Sequence, residues 1–261
     1  MRERRGVVTG QDKQAGEIAV GYPTASLVGL TIAADANAWA TIGVPITDGG
    51  AQISTIRLRF DVGNAGIAHW TLLRHPDQYM VIGSPVAPLI DGLITEWVSK
   101  PLPPLPSDPQ IVGFDHLVIM TTSLERTCAA IASETGAPLK RIRHGSAVRQ
   151  GFHRLGEAIV EVVEPVEPVE HVVPVERVEH AEGVEPADVL EPVEGTDSVP
   201  PVGQPASFWG LVWVVDDLDA YCRRVGPELI SAPRVAVQKG RRIASFRSAA
   251  NLGCAVAVMS R

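Results

Sequence analysis

The chain has 261 residues, 45% of them hydrophobic and 5% aromatic, enough for a core built mainly of Val, Ile, Leu and Ala. The formal charge is −7, but Glu164 to Ala206 alone carries −10 and leaves +3 for the rest, so neither part shows the clustered basic face of a nucleic-acid binder. Three cysteines with no CxxC spacing argue against a disulfide framework and a thiolate zinc site, and fit a reducing compartment.

Residues 1–22 read as an N-terminal extension. Met1-Arg2-Glu3-Arg4-Arg5 is basic, but no apolar run follows it, so no signal peptide is expected. No run approaches the roughly 18 to 20 apolar residues that span a bilayer. The expectation is a cytoplasmic protein without a membrane partner.

A first block covers residues 23–84. Ser26 to Asp35 is a strand ending at an acidic cap, and Ala36 to Ile42 a short helix containing Trp39. Ile53 to Phe60 and Gly66 to Leu73 alternate apolar and polar residues as strands do. No convincing fourth strand precedes the prolines, so the unit is incomplete. Residues 85–110 read as a linker, because Lys100-Pro-Leu-Pro-Pro-Leu-Pro-Ser-Asp-Pro109 blocks both helix and central strand.

A second block covers 111–163. Phe114-Asp-His-Leu-Val-Ile-Met opens it as a strand, Ser123-Leu-Glu starts a helix over about 124–135, and Gly136 ends it. Strands are expected at about Lys140–Arg143, Val148–Leu155 and Ala158–Val163. Residues 164–206 repeat Val-Glu-Pro and read as a disordered acidic insertion, since proline and one charge sign cannot build a core. The third block, 207–261, repeats the order: Phe208-Trp-Gly-Leu-Val-Trp, an Asp217-Leu-Asp helix start, Gly226, then strands at about Val235–Val237, Arg242–Arg247 and Ala255–Met259.

A β-α-β-β-β unit repeated in this order resembles the vicinal oxygen chelate superfamily, which includes glyoxalases, bleomycin-resistance proteins and extradiol dioxygenases. Asp115-His116-Leu-Val with its Ser-Leu-Glu cap is similar to the family's opening motif, and Leu155-Gly-Glu-Ala-Ile-Val-Glu161-Val-Val to its closing strand. The resemblance implies an α+β fold in which two units pair curved mixed sheets into a cup. It also implies a divalent metal, held by His and carboxylate groups from first and last strands, that chelates the substrate. The second block offers His116 and Glu161. The matching positions of the third are Gly210 and Ala257, which cannot ligate. His69, in Ala68-His69-Trp70, is the candidate third ligand. His153 is expected on the surface, and His171 and His180, in the disordered insertion, are not expected to be ligands.

Glu161 lies in an apolar run, where a carboxylate is costly without a partner; Arg149, Arg154, Arg241 and Arg242 are candidates. It is also the candidate catalytic residue, expected to face the cup with Ile159 and Val163. Gln238-Lys-Gly-Arg-Arg242 is a basic turn, a solvated hairpin or a contact for an anionic substrate. Three functions stay open: a lyase or dioxygenase with a degenerate metal site, a metal-free protein sequestering a small-molecule ligand, and a scaffold acting through the acidic insertion. The assembly is open to a homodimer.

Overall fold

The structure, a computed structural model, describes residues 24–75, 89–166 and 203–261. The expected N-terminal extension and residues 167–202 of the expected insertion lie outside the described residues.

Two sheets organise the chain. The first contains β1 (Ser26–Ala33), β2 (Gly50–Ile53), β3 (Ile56–Asp61), β4 (Gly66–Leu73), β5 (Leu89–Ile90) and β6 (Leu93–Val98), in the order β2-β3-β1-β4-β6-β5, with helix α1 (Ala36–Thr41) after β1. The second contains β7 (Ile111–Met120), β8 (Arg141–His144), β9 (Val148–Leu155), β10 (Ala158–Pro165), β11 (Ser207–Val215), β12 (Arg234–Val235), β13 (Arg242–Ser245) and β14 (Ala255–Ser260). Its order is β12-β13-β14-β11-β7-β10-β9-β8. Helices α2 (Leu124–Thr135) and α3 (Leu218–Val225) follow β7 and β11.

The helix ends follow the sequence signals. Asp35, Ser123 and Asp217 each accept a backbone N–H of the first turn. Gly136 closes α2 at φ +72°, the left-handed region that glycine enters without a Cβ penalty.

In the second sheet β10 runs parallel to β7, β14 runs parallel to β11, and β7 and β11 meet antiparallel at the centre. The first sheet repeats this plan: β3 is parallel to β1, β6 is parallel to β4, and β1 meets β4 antiparallel. The structure therefore has four strand units in two pairs, where the sequence reading found three. The expected Pro-rich linker hides the difference. Its residues 89–98 are a hairpin whose turn is Asp91-Gly92, both at positive φ (49° and 92°), the backbone that a two-residue hairpin turn demands. Proline takes over only beyond Val98.

That proline segment lies across the first sheet. Leu105 N–H donates to Gln52 Oε1 (3.2 Å) and Arg57 Nη1 donates to the Pro103 carbonyl (3.3 Å). Leu102 and Leu105 are half-buried over Gly29 and Gly50, where little room is left for a Cβ. Leucines three apart fall on one side of an extended proline helix, which is why this segment can cover the sheet.

The helix-bearing faces of both sheets share one hydrophobic core. Trp39 of α1 packs against Trp213 of β11 with ring centroids 6.0 Å apart, and its Nε1–H donates to the Leu252 carbonyl (3.2 Å). Trp70 meets Phe208 edge-on, and Tyr221 O–H donates to the Ile42 carbonyl. The Asp91 turn adds a polar tie, accepting from Arg126 (2.8 Å) and from Thr127 on α2.

His153 corrects the surface expectation. It is 1% exposed on β9, and its Nδ1–H donates to the Ala137 carbonyl (2.9 Å). Alternation places it opposite Arg154, on the face that packs α2. Burial depresses its pKa, only partly offset by that hydrogen bond. Below the ordinary histidine pKa of 6.5 the unfolded chain takes up a proton that the folded chain resists. Stability measured by urea unfolding is therefore expected to fall as pH drops from about 7 to about 5. The variant His153→Gln should flatten that slope; an unchanged slope would remove His153 as its cause.

Candidate functional site

Register decides what faces the outer side of the second sheet, because directly paired residues point the same way. One row across the sheet reads Arg154, Ile159, His116, Val212, Ala257 and Ser245. The next reads Arg141, Phe152, Glu161, Val118, Gly210 and Ala255, and a third begins Arg143, Gln150, Val163 and Met120. His116 and Glu161 thus share the cup face, as alternation with Ile159 and Val163 requires.

The two are adjacent there. His116 Nε2 lies 3.6 Å from Glu161 Oε2, and the side chains are 14% and 13% exposed. Gln150 Nε2 donates to the other Glu161 oxygen. None of the four expected arginines reaches Glu161. Arg149 pairs with Glu125 and Glu164, Arg154 bonds the Glu157 carbonyl, and Arg242 pairs with Asp219. Arg241, in the basic turn, pairs with Asp115 instead (2.6 Å).

Asp115 is the site residue that sequence reasoning left without a role. Neighbours on a strand normally face opposite sides, yet Asp115 Oδ2 accepts from His116 Nδ1 at 2.8 Å. The cause is a β-bulge. Val212 pairs with His116 and Trp213 with Phe114, so Asp115 is an extra residue with no partner on β11, and a bulge re-aims its side chain. Burial alone would raise the Asp115 pKa. The hydrogen bond and charge of His116, with the Arg241 guanidinium, outweigh it and hold the carboxyl at about 2. An ionised carboxylate only accepts hydrogen bonds, so His116 must donate from Nδ1 and turn Nε2 to the cup. The 3.6 Å gap to Glu161 exceeds a hydrogen bond, which leaves Nε2 free to meet a ligand. The arrangement can bind a polar group and move a proton.

His69 does not join this pair. It sits on β4 in the other sheet, where Nε2 meets Thr31 Oγ1 (2.9 Å) and lies 3.8 Å from Glu96 Oε2. The local plan is the same in both places. Ala68 is bulged just before His69, as Asp115 is before His116. Glu96 pairs with Thr71, two residues past His69, as Glu161 pairs with Val118, two past His116. Among the described residues there are therefore two such His–Glu pairs, one per sheet. Glu96 escaped notice because it lies in the segment taken for a linker; alternation through Leu93-Ile-Thr-Glu-Trp-Val98 after Asp-Gly was the available signal.

The donor set does not fit a stable divalent-metal site, which needs three or four ligands. His116 and Glu161 supply two. A Cβ on Gly210 would stand 2.3 Å from the Ala255 carbonyl oxygen, so no side chain fits there, and Ala257 has no donor. Among the described residues no group of three or more His, Cys, Asp or Glu could hold a metal. All three cysteines are free.

A cavity of about 270 Å³ lies elsewhere, between the β3–β4 turn and the starts of β11 and β14, lined in part by Phe208, Trp209, Phe246, Arg247 and Cys254. Its one titrating nucleophile is the Cys254 thiol, which burial pushes up to about 12. It offers room without a reactive group, and the cup offers both a polar cluster and access. Among the described residues no helix is long and apolar enough to cross a membrane.

No family model and no curated protein matches the sequence. Among solved structures, a triple mutant of 4-hydroxymandelate synthase from Streptomyces coelicolor is similar over 92% of this chain and 93% of its own, with TM-score 0.55 and 12% identity. Methylmalonyl-CoA epimerase from Mycobacterium tuberculosis is similar over 60% of this chain and 92% of its own, with TM-score 0.41 and 15% identity. The first likeness, spanning nearly both chains, shows the fold: α+β, with the curved mixed sheets of the vicinal oxygen chelate fold.

Proposed function

We propose that this chain is a glyoxalase-like small-molecule-binding protein that holds its ligand in the cup of the second sheet without a resident metal. His116 and Glu161 contact the ligand's polar group and are placed to move a proton. The observation that carries this reading is the pair of hydrogen-bonded runs Gln150–Glu161 and His116–Asp115–Arg241, which meet across a 3.6 Å gap and hold both groups at the cup surface. Asp115 and Arg241 act as positioning residues: they set the tautomer and aim of His116 and touch no ligand. Phe152 and Met120, half-buried in adjacent rows, supply apolar contact.

Lyase or dioxygenase chemistry that depends on a divalent metal is disfavoured by the donor set, since Gly210 and Ala257 offer no ligand. Protein loaded with Mn²⁺ or Co²⁺ and then desalted is expected to retain well under one equivalent. Full retention that is lost in His116→Ala would overturn this part of the reading.

The cup is tested by NMR titration of the full chain with a library of small polar aromatic fragments. Binders are expected to shift Phe152, Met120 and Val118 resonances, and EDTA should leave the shifts unchanged. Losing charged hydrogen bonds typically costs about 1.5–3 kcal/mol, so Glu161→Gln should weaken such binders about tenfold or more with little change in thermal midpoint. Fragments that map only to the cavity at Phe208 and Phe246 would move the site there.

A further inference from the structure

We infer that the ligand of this cup is an organic oxyanion bearing two negative charges, held at the rim by Arg141 and Arg143; this rests on the cup being the binding site. Arg141 pairs with Phe152 and Arg143 with Gln150 across β8 and β9, so both side chains leave the sheet on the cup face. Arg141 is exposed on the edge strand, yet its head is laid back on the sheet. Its guanidinium lies 4.4 Å from the centroid of the Phe152 ring, above the row that contains Glu161.

No carboxylate among the described residues forms an ion pair with either arginine, whereas Arg149, Arg241 and Arg242 are each paired. A simpler role for basic residues on an exposed edge strand is to deter pairing with another sheet. Charge alone would serve that role, with no need to stack one guanidinium on an aromatic ring of the cup face.

Dimensions narrow the class. Residues two apart on a strand are about 7 Å apart, a span suited to two carboxylates or to a diphosphate. Strands are about 4.8 Å apart, so β8 stands roughly 10 Å from β10, which bears Glu161. Like charges repel, so the anionic end of a ligand stays at the arginines and its uncharged part reaches His116 and Glu161. The guanidinium fork matches either oxyanion.

The probes are inorganic pyrophosphate and malonate, titrated into the full chain by calorimetry at low salt. At least one should bind saturably, more weakly as NaCl is added, and the tighter of the two identifies phosphate or carboxylate as the headgroup. Arg141→Gln with Arg143→Gln should weaken it about tenfold or more. Arg126→Gln, which lies on α2 away from the cup, should not. The probes carry no uncharged part to reach His116 and Glu161, so their binding reports the arginine rim alone and a failed proton-transfer role leaves this inference standing. Neutral fragments binding the cup while neither anion saturates, or equal anion affinity in the double variant, would sink it and leave the cup itself intact.

Discussion

Replacing Trp39 with Ala is expected to unfold a large fraction of the protein at moderate temperature. The indole is fully buried and touches both halves of the molecule: Phe60 of the first sheet (5.5 Å between centroids) and Trp213 of the second (6.0 Å). Its N–H satisfies the Leu252 carbonyl in the loop before β14. Truncation removes the apolar contact, leaves a cavity and orphans that carbonyl, a combination that costs about 3–5 kcal/mol. Whole domains are stable by only about 5–15 kcal/mol. A thermal midpoint lowered by roughly 6–20 °C follows for a protein of this size. Trp39→Phe, which keeps the packing and loses the hydrogen bond, should recover most of the loss. A Trp39→Ala midpoint within a degree or two of the parent would mean that the sheets do not depend on this contact.

Asp115→Asn is the second large effect, and it should appear in stability and binding together. The carboxylate is 9% exposed between His116 and Arg241. Its pKa of about 2, against 3.8 for a free side chain, corresponds to roughly 2 kcal/mol at neutral pH. Breaking a buried pair from one side also leaves the guanidinium without its counter-ion, which raises the cost toward about 3 kcal/mol. The folded pKa is depressed, so this contribution is complete above about pH 4 and is lost as pH falls toward 2. Asparagine also presents both a donor and an acceptor to His116 and no longer dictates which ring nitrogen carries the proton. Cup ligands should therefore bind more weakly, by a margin that Arg241→Gln partly reproduces. A variant with parental acid stability and parental fragment affinity would show that Asp115 neither supports the fold nor aims the histidine.

Local signals in the sequence determined much of this molecule. Helix starts at Asp35, Ser123 and Asp217, the strands after α2, and the common face of His116 and Glu161 follow from capping chemistry and from a side-chain period of two, both short-range properties. The same rules left the fourth unit unseen, because proline-rich residues after Val98 overshadowed the Asp91-Gly92 hairpin. Tertiary structure decided the rest. Bulges at Asp115 and Ala68 depend on how a neighbouring strand pairs, so no alternation rule applied to one strand could show that Asp115 turns to His116. Sheet membership separated His69 from His116 by placing β4 beside β1 and β6. The partner of Arg241 was set by a contact across 126 positions of sequence, and the burial of His153 by the helix that packs on its face. Spacing along the chain reports what one segment can form; which segments meet, and so which charges pair, is fixed only when the shared core closes around Trp39 and Trp213.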